Sequence, residues 1–370
     1  MKEPALKKHL IFVGSKFIFN TPLQAYIVRQ IKEKIDHLDS ITYFQESDNS
    51  LFLHLEQQFS KECMAVIVAS KSSFPVVGKL LSTITADNQI LKEQMLIPSR
   101  TTIFEHNSYL LQHHHTAINV MLANEGEELP AVLLDDDLRG AVIQLFNEEK
   151  ENARAMLDPL AQTYEVRFDL TEIVAGWLQL RIQSGRYGNI AQFIASCKQL
   201  LPSQVIPASN IAAYIIERLQ HNQKKITFAE SCTGGLLAAF LTRESGASTV
   251  FEGSLVTYSN TLKSNWLAVD DAKFIEYGAV SPAVVEEMTE GAINVSYADY
   301  AIAVSGIAGP GGATEGKPVG TICINVRSKT EHITEEMHFR GDRNYVQEQS
   351  TLYAIKMLLL LDKKTFFEKS

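Results

Sequence analysis

Residues 226–263, ITFAESCTGGLLAAFLTRESGASTVFEGSLVTYSNTLK, constrain the fold more than any other stretch. A short apolar run at 226–229 meets Glu230-Ser231-Cys232-Thr233-Gly234-Gly235, and a helical pattern follows at 236–241. That order reads as strand, tight turn and helix. The paired glycines permit a sharp turn and close backbone approach. A helix start leaves N–H groups unpaired and carries partial positive charge, which suits a phosphate or a developing oxyanion. Ser231 falls at the strand end, where open α/β sheets carry their sites. A second strand, 254–258, leads to Tyr258 and then Lys263.

At 370 residues the chain has room for two or three domains and a sizeable core. Its hydrophobic (45%) and charged (21%) fractions are those of a water-soluble globular protein. A net charge of -9 argues against a nucleic-acid binder, which presents a basic face, but leaves room for a local phosphate pocket. The apolar run behind the N-terminal lysines is too short for a signal peptide, and no stretch is long and apolar enough for a membrane span. A cytoplasmic location is therefore expected. Cys63, Cys197, Cys232 and Cys323 are scattered without a C-x-x-C pair, so neither a zinc site nor a disulfide framework is expected. Cys63 and Cys323 sit in apolar, strand-like contexts and read as buried thiols.

The first 150 residues alternate strands (10–13, 40–44, 64–69, 119–122, 131–134) with helices (23–35, 49–59, 138–149), the pattern of a parallel-sheet α/β domain. Thr21 is a candidate N-cap for the first helix, with Pro22 at its first position. The loop after MAVIVA offers Ser70, Lys71, Ser72 and Ser73, without a carboxylate or a glycine pair. His113-His114-His115 points its adjacent side chains apart and reads as a solvated loop. Asp135-Asp136-Asp137 could hold a divalent cation, but a polar loop capping the next helix is the simpler reading. Residues 151–207 read as a small α+β module with a strand at 164–170 and helices at 173–182 and 190–201. Arg181, Arg186 and Lys198 give it a local basic face, taken as part of a spacer or dimerisation module rather than a nucleic-acid surface. Pro202 and Pro207 mark its end, and a helix at 208–219 opens the last domain, 208–370.

Beyond Lys263 that domain shows a helix at 271–277, and Ser281 and Pro282 open another with its body at 284–293. A buried strand, 300–304, ends in Ser305-Gly306-Ile307-Ala308-Gly309-Pro310-Gly311-Gly312, a second candidate anion cradle. The loop has neither the P-loop ending nor the Rossmann spacing, so neither nucleotide motif is assigned. Strands at 321–326 and 336–339 precede Phe339-Arg340-Gly341-Asp342-Arg343 and a final amphipathic helix, 346–361.

AESCTGG (229–235), FEGSLVTYSNTLK (251–263), GAVS (278–281), SGIAGPGG (305–312), KPVGT (317–321) and FRGDR (339–343) together resemble the C-terminal domain of the CinA family, competence/damage-inducible proteins that include nicotinamide mononucleotide amidohydrolases. Ser305 stands where that family usually has threonine. The resemblance implies an α/β chain with a three-layer α/β/α C-terminal domain, a small linking module and a molybdopterin-binding-like N-terminal domain. The N-terminal likeness is poor. Gly14-Ser15-Lys16 and Asn20-Thr21 fall at family positions, but the family's glycine- and aspartate-bearing loop would fall at 69–77, which here reads ASKSSFPVV. The metal-dependent ADP-ribose pyrophosphatase activity of that family domain needs those carboxylates, so this domain is expected to be a scaffold. A homodimer is also implied by the resemblance.

Carboxamide hydrolysis needs a nucleophile, a proton acceptor and an oxyanion stabiliser. Ser231 fits the nucleophile, with Cys232 as a rival and a plain N-cap as the bland reading. No histidine lies in the matched motifs. Lys263 can act as base if burial lowers its pKa, and Tyr258 could relay the proton or orient the lysine. Backbone N–H groups at Thr233, Gly234 and Gly235, or in the loop carrying Ser305, Gly306, Gly309 and Gly311, could hold the oxyanion. The other loop, with Arg343, would hold the nucleotide phosphate; Arg343 pairing with Asp342 or Glu348 is the alternative. Glu230 either orients the turn or binds ribose. This arrangement calls for no metal and no cofactor. Two rivals stand beside the amidohydrolase: a pyrophosphatase in the first domain, and a non-catalytic nucleotide-binding protein linked to competence or DNA damage.

Overall fold

A computed structural model describes residues 7–35, 37–59, 63–93, 95–134, 140–184 and 187–368. It divides into two compact units at Gly140. Asp135-Asp136-Asp137 and Arg186 lie outside the described residues.

The first unit runs β1 (Lys7–Val13), α1 (Ser15–Phe19), α2 (Thr21–Lys32), β2 (Ser40–Phe44), α3 (Ser50–Phe59), β3 (Cys63–Ala69), α4 (Phe74–Ile84), β4 (Gln89–Lys92), β5 (Met95–Pro98), β6 (Thr101–Glu105), β7 (Ser108–His113) and β8 (Thr116–Leu122). Its sheet has the order β2-β1-β3-β8-β7-β6, parallel from β2 through β8 and antiparallel beyond. The apolar runs in β1 and β3 are central strands, buried on both faces. Asn20, not Thr21, caps α2: its side chain accepts the Leu23 N–H at 3.1 Å. Residues 131–134 form no strand. After β3, Ser70 Oγ bonds the Ser72 and Ser73 hydroxyls at 3.0 and 2.9 Å. His113 closes β7, and His114 and His115 turn into β8.

The second unit begins with β9 (Gly140–Phe146), where a helix over 138–149 was expected. Its mostly apolar stretch, Ala141 to Phe146, interrupted by the buried Gln144, pairs in a sheet of order β10-β11-β9-β12 and is buried on both faces at its end. The expected break at 150 thus falls ten residues earlier, at Gly140. α5 (Lys150–Thr163), β10 (Val166–Val174), β11 (Trp177–Ser184), α6 (Ile190–Leu200) and β12 (Val205–Ile206) complete this smaller sheet. Residues 173–182 are hairpin, not helix. Leu178, Leu180 and Ile182 alternate inward with period two, and the register turns at 175–176. These elements pack in the same unit as residues 208–368 rather than as a separate module: Phe146, Val174 and Trp177 share a core with Tyr353, Ala354 and Leu358.

There follow α7 (Ile211–His221), β13 (Ile226–Glu230), α8 (Leu236–Thr242), a 3-10 turn (Ala247–Thr249), β14 (Phe251–Val256), α9 (Asn260–Leu267), α10 (Asp271–Tyr277), α11 (Pro282–Ser296), β15 (Tyr300–Gly306), β16 (Thr321–Ser328), β17 (His332–His338), α12 (Arg343–Leu361) and α13 (Lys363–Phe367). The sheet order is β14-β13-β15-β16-β17, with β14, β13 and β15 parallel. Alternation sorts its faces. Ile226, Phe228, Tyr300, Ile302 and Val304 meet α7, α8 and α12, whereas Ala229, Ala301 and Ala303 meet α9 and α11. Large side chains fill one gap and alanines let helices approach across the other. The result is three layers, α/β/α. α12 is not amphipathic along its second half: every residue from Tyr353 to Leu359 is buried, because the larger sheet and the β10–β11 hairpin both pack on it. All four cysteines are buried, with no disulfide among the described residues.

Candidate active site

β13 delivers Ser231. Its N–H continues the sheet ladder to the Val304 carbonyl at 2.9 Å, so the residue's position is set by the central strands. The turn then needs left-handed backbone at Gly234 and Gly235, with φ of 60° and 104°. A side chain at Gly234 would meet nothing within 4 Å, so glycine is required by conformation, not by space.

Glu230 is fully buried. Its carboxylate accepts from the N–H groups of Gly235 (2.9 Å), Leu237 (3.1 Å) and Ala238 (3.1 Å) and from Ser254 Oγ (2.8 Å). The acid therefore fixes the turn and the start of α8 and ties both to β14, which corrects its assignment as a substrate ligand. The same bonds correct Gly234 and Gly235 as anion donors: the Gly234 N–H goes to the Ser231 carbonyl at 3.1 Å and the Gly235 N–H to Glu230.

Lys263 lies in the first turn of α9, which Ser259 caps by accepting the Leu262 N–H at 3.2 Å. The lysine is 1% exposed. Its Nζ stands 3.1 Å from Ser231 Oγ, 2.9 Å from the Thr257 carbonyl and 3.4 Å from the Tyr258 carbonyl. Desolvation lowers its pKa to about 8. A neutral amine has two protons and one lone pair; with the protons on the two carbonyls, the lone pair is left for the Ser231 hydroxyl. Cys232 is buried, which raises its pKa to about 12 and disfavours a thiolate.

A cleft of about 250 Å³ opens over this pair. Among the residues expected in the site it brings together Ser231, Tyr258, Lys263, Ser305, Gly306, Gly311 and Arg343. Glu230, Thr233, Gly234, Gly235 and Gly309 do not line it. Tyr258 meets Lys263 through its carbonyl; its hydroxyl, 61% exposed as a residue, instead takes a 2.8 Å bond from Arg343. Arg343 also donates to the Gly309 carbonyl at 2.8 Å. Asp342 caps α12 through the Tyr345 N–H rather than pairing with it. Ser305, 1% exposed, donates to the Ala279 carbonyl at 2.8 Å, so its hydroxyl is a brace. Gly306 is required by space: a Cβ there would fall 2.9 Å from the Thr321 carbonyl oxygen and 3.1 Å from Ile322 Cα, backbone atoms held by the β15–β16 ladder. The described lining includes two cations, Lys263 and Arg343, and no carboxylate. Among the described residues no three His, Cys, Asp or Glu side chains gather as a metal site.

Residues 208–361 match the model of the CinA C-terminal domain. This part of the chain belongs to the CinA family. A CinA-like protein of Thermotoga neapolitana is 44% identical over 144 residues, 39% of this chain and 35% of that protein. One from Prochlorococcus marinus is 42% identical over 160 residues, 42% of this chain and 38% of that protein. The chain thus aligns with little more than a third of the length of these curated relatives. The solved competence/damage inducible protein CihA of Agrobacterium tumefaciens is 35% identical, over 41% of this chain and 93% of that one, with a TM-score of 0.41.

Sequence reasoning missed Asn260, Ala279 and Val280 in the lining of this CinA cleft. All three stood inside quoted motifs. Gln347 was also missed; it lies one turn after Arg343 on α12, a spacing that places both on one helix face.

Proposed function

We propose that the CinA domain hydrolyses the carboxamide of nicotinamide mononucleotide to nicotinate mononucleotide and ammonia, as a cytoplasmic homodimer serving pyridine nucleotide salvage. The observation that carries this reading is the buried pair, Lys263 Nζ 3.1 Å from Ser231 Oγ. Neutral Lys263 takes the Ser231 proton as Oγ bonds to the carboxamide carbon. The ammonium then returns that proton to the departing nitrogen as the C–N bond breaks and ammonia leaves. Water attacks the resulting ester, again giving its proton to Lys263, the C–Oγ bond breaks, and the proton passes back to Ser231. The acid product ionises to the carboxylate. The cleft's charge supports an anionic substrate. Lys263 is engaged with Ser231, so Arg343 at the mouth is the cation left for the phosphate, with Tyr258 beside it offering an exposed ring. In this reading the first unit is a scaffold; its serine-rich turn after β3 bonds to itself.

The test is ammonia release from nicotinamide mononucleotide by the purified chain in the presence of a chelator, beside Ser231→Ala and Lys263→Ala. Turnover lost in both variants is expected. A folded wild-type chain that releases no ammonia would leave a nucleotide-binding role.

A further inference from the structure

Accepting the Ser231–Lys263 amidase reading, one catalytic element is still unassigned: the donors that hold the oxyanion. The start of α8 is excluded, because Glu230 and the Ser231 carbonyl consume its N–H groups at Gly234, Gly235, Leu237 and Ala238. The two peptides that directly follow the nucleophile are different. The Ser231 carbonyl accepts the Gly234 N–H at 3.1 Å, and the Cys232 carbonyl accepts Gln347 Nε2 at 2.6 Å. Both carbonyls are thus held from outside the cleft. In a planar trans peptide the N–H points opposite to the C=O. Neither the Cys232 nor the Thr233 N–H meets an acceptor from another described residue. The Thr233 hydroxyl, on a residue 2% exposed, is likewise without a partner. Two adjacent backbone donors that no other described residue takes therefore follow the nucleophile, the Cys232 N–H meeting only its own thiol, in a region where buried donors are normally paired.

We infer that the N–H groups of Cys232, which lines the cleft, and of Thr233, whose side chain lies behind it but whose N–H belongs to the Cys232 peptide, form the oxyanion hole, and that Gln347 is the positioning residue that holds the second of them in place. Gln347 touches no reacting atom. It acts from α12 through the Cys232 carbonyl, fixing the peptide plane and polarising it toward the developing negative charge. The helix that carries Arg343 to the cleft mouth thereby also sets the geometry beside Ser231.

Gln347→Met keeps the side-chain volume and removes the donor; Gln347→Glu keeps the shape and sets a carboxylate against the Cys232 carbonyl. With nicotinamide mononucleotide, we expect kcat to fall about tenfold or more while KM stays within about twofold, since the oxyanion exists only in the transition state. Nicotinaldehyde mononucleotide, whose adduct with Ser231 carries such an oxygen, should bind more weakly by a similar factor. Nicotinate mononucleotide, planar at the carboxylate, should bind as it does to the wild type. A merely structural role would move both ligands together. Should Gln347→Met fail to fold, Gln347→Glu carries the same comparison. An unchanged kcat in a folded variant, or a loss confined to KM, overturns the inference and leaves the amidase reading standing. A wild type without turnover overturns both.

Discussion

Lys263→Met tests the energetic cost of the base. In the folded chain the Lys263 pKa is about 8, against 10.5 ordinarily. Between those values the unfolded chain holds a proton on this amine and the folded chain does not. Stability therefore rises with pH across that window, and below pH 8 the folded state carries the full cost of a buried ammonium. The gap of about 2.5 pH units corresponds to roughly 3 kcal/mol. The methionine variant has no such cost. It does lose the bonds to Ser231 and to the Thr257 carbonyl, and each orphaned group costs about 1–3 kcal/mol. Those losses do not depend on pH, so they cancel when the two proteins are compared at two pH values. Denaturant melts of both proteins at pH 7 and pH 10.5 should show the wild type gaining roughly 3 kcal/mol relative to the variant as pH rises. A difference that stays flat across the window would refute a desolvated amine at position 263.

The same pKa governs rate. kcat/KM should rise with pH and level off above about 8, because only the neutral amine accepts the Ser231 proton; a plateau extending down to pH 6 would contradict this. Glu230→Gln places an amide donor against one or more N–H groups that the carboxylate now accepts. It should destabilise the second unit by about 2–4 kcal/mol in denaturant melts. Arg343→Met should raise KM for the nucleotide by about tenfold or more, as loss of a charge-assisted phosphate contact does. Its effect on hydrolysis of the unphosphorylated riboside should be small, and an equal loss on both substrates would remove the phosphate role.

The central strands were legible because their apolar runs are buried on both faces, and so was the turn at Ser231, where two glycines interrupt strand and helix signals. Two helical expectations became strands. In 173–182, apolar residues at 174, 177 and 178 imitate a helical spacing, although Leu178, Leu180 and Ile182 keep a period of two. In 138–149 the apolar residues 141–143 and 145–146 are broken only by Gln144 and show no clear period of two. The burial of α12 on more than one side was hidden, since a local pattern does not show that two sheets meet one helix. At the site, Ser231 was suggested by its place at a strand end before a glycine turn, whereas Lys263, Tyr258 and Arg343 were picked out only by the motifs that carry the resemblance. What those groups bond was not readable: Glu230 turned out to be spent on backbone, and the Tyr258 hydroxyl on Arg343. Such pairings depend on loops brought together from distant parts of the chain.

The account's central claim is that Ser231 forms an ester with the substrate acyl group. Acid quenching during turnover of nicotinamide mononucleotide, followed by digestion and mass spectrometry, tests it directly. The account predicts a nicotinate mononucleotide adduct on the peptide that carries Ser231, and neither adduct nor ammonia release in Ser231→Ala. Ammonia release by Ser231→Ala at the wild-type rate, with no adduct on the wild-type peptide, would contradict it.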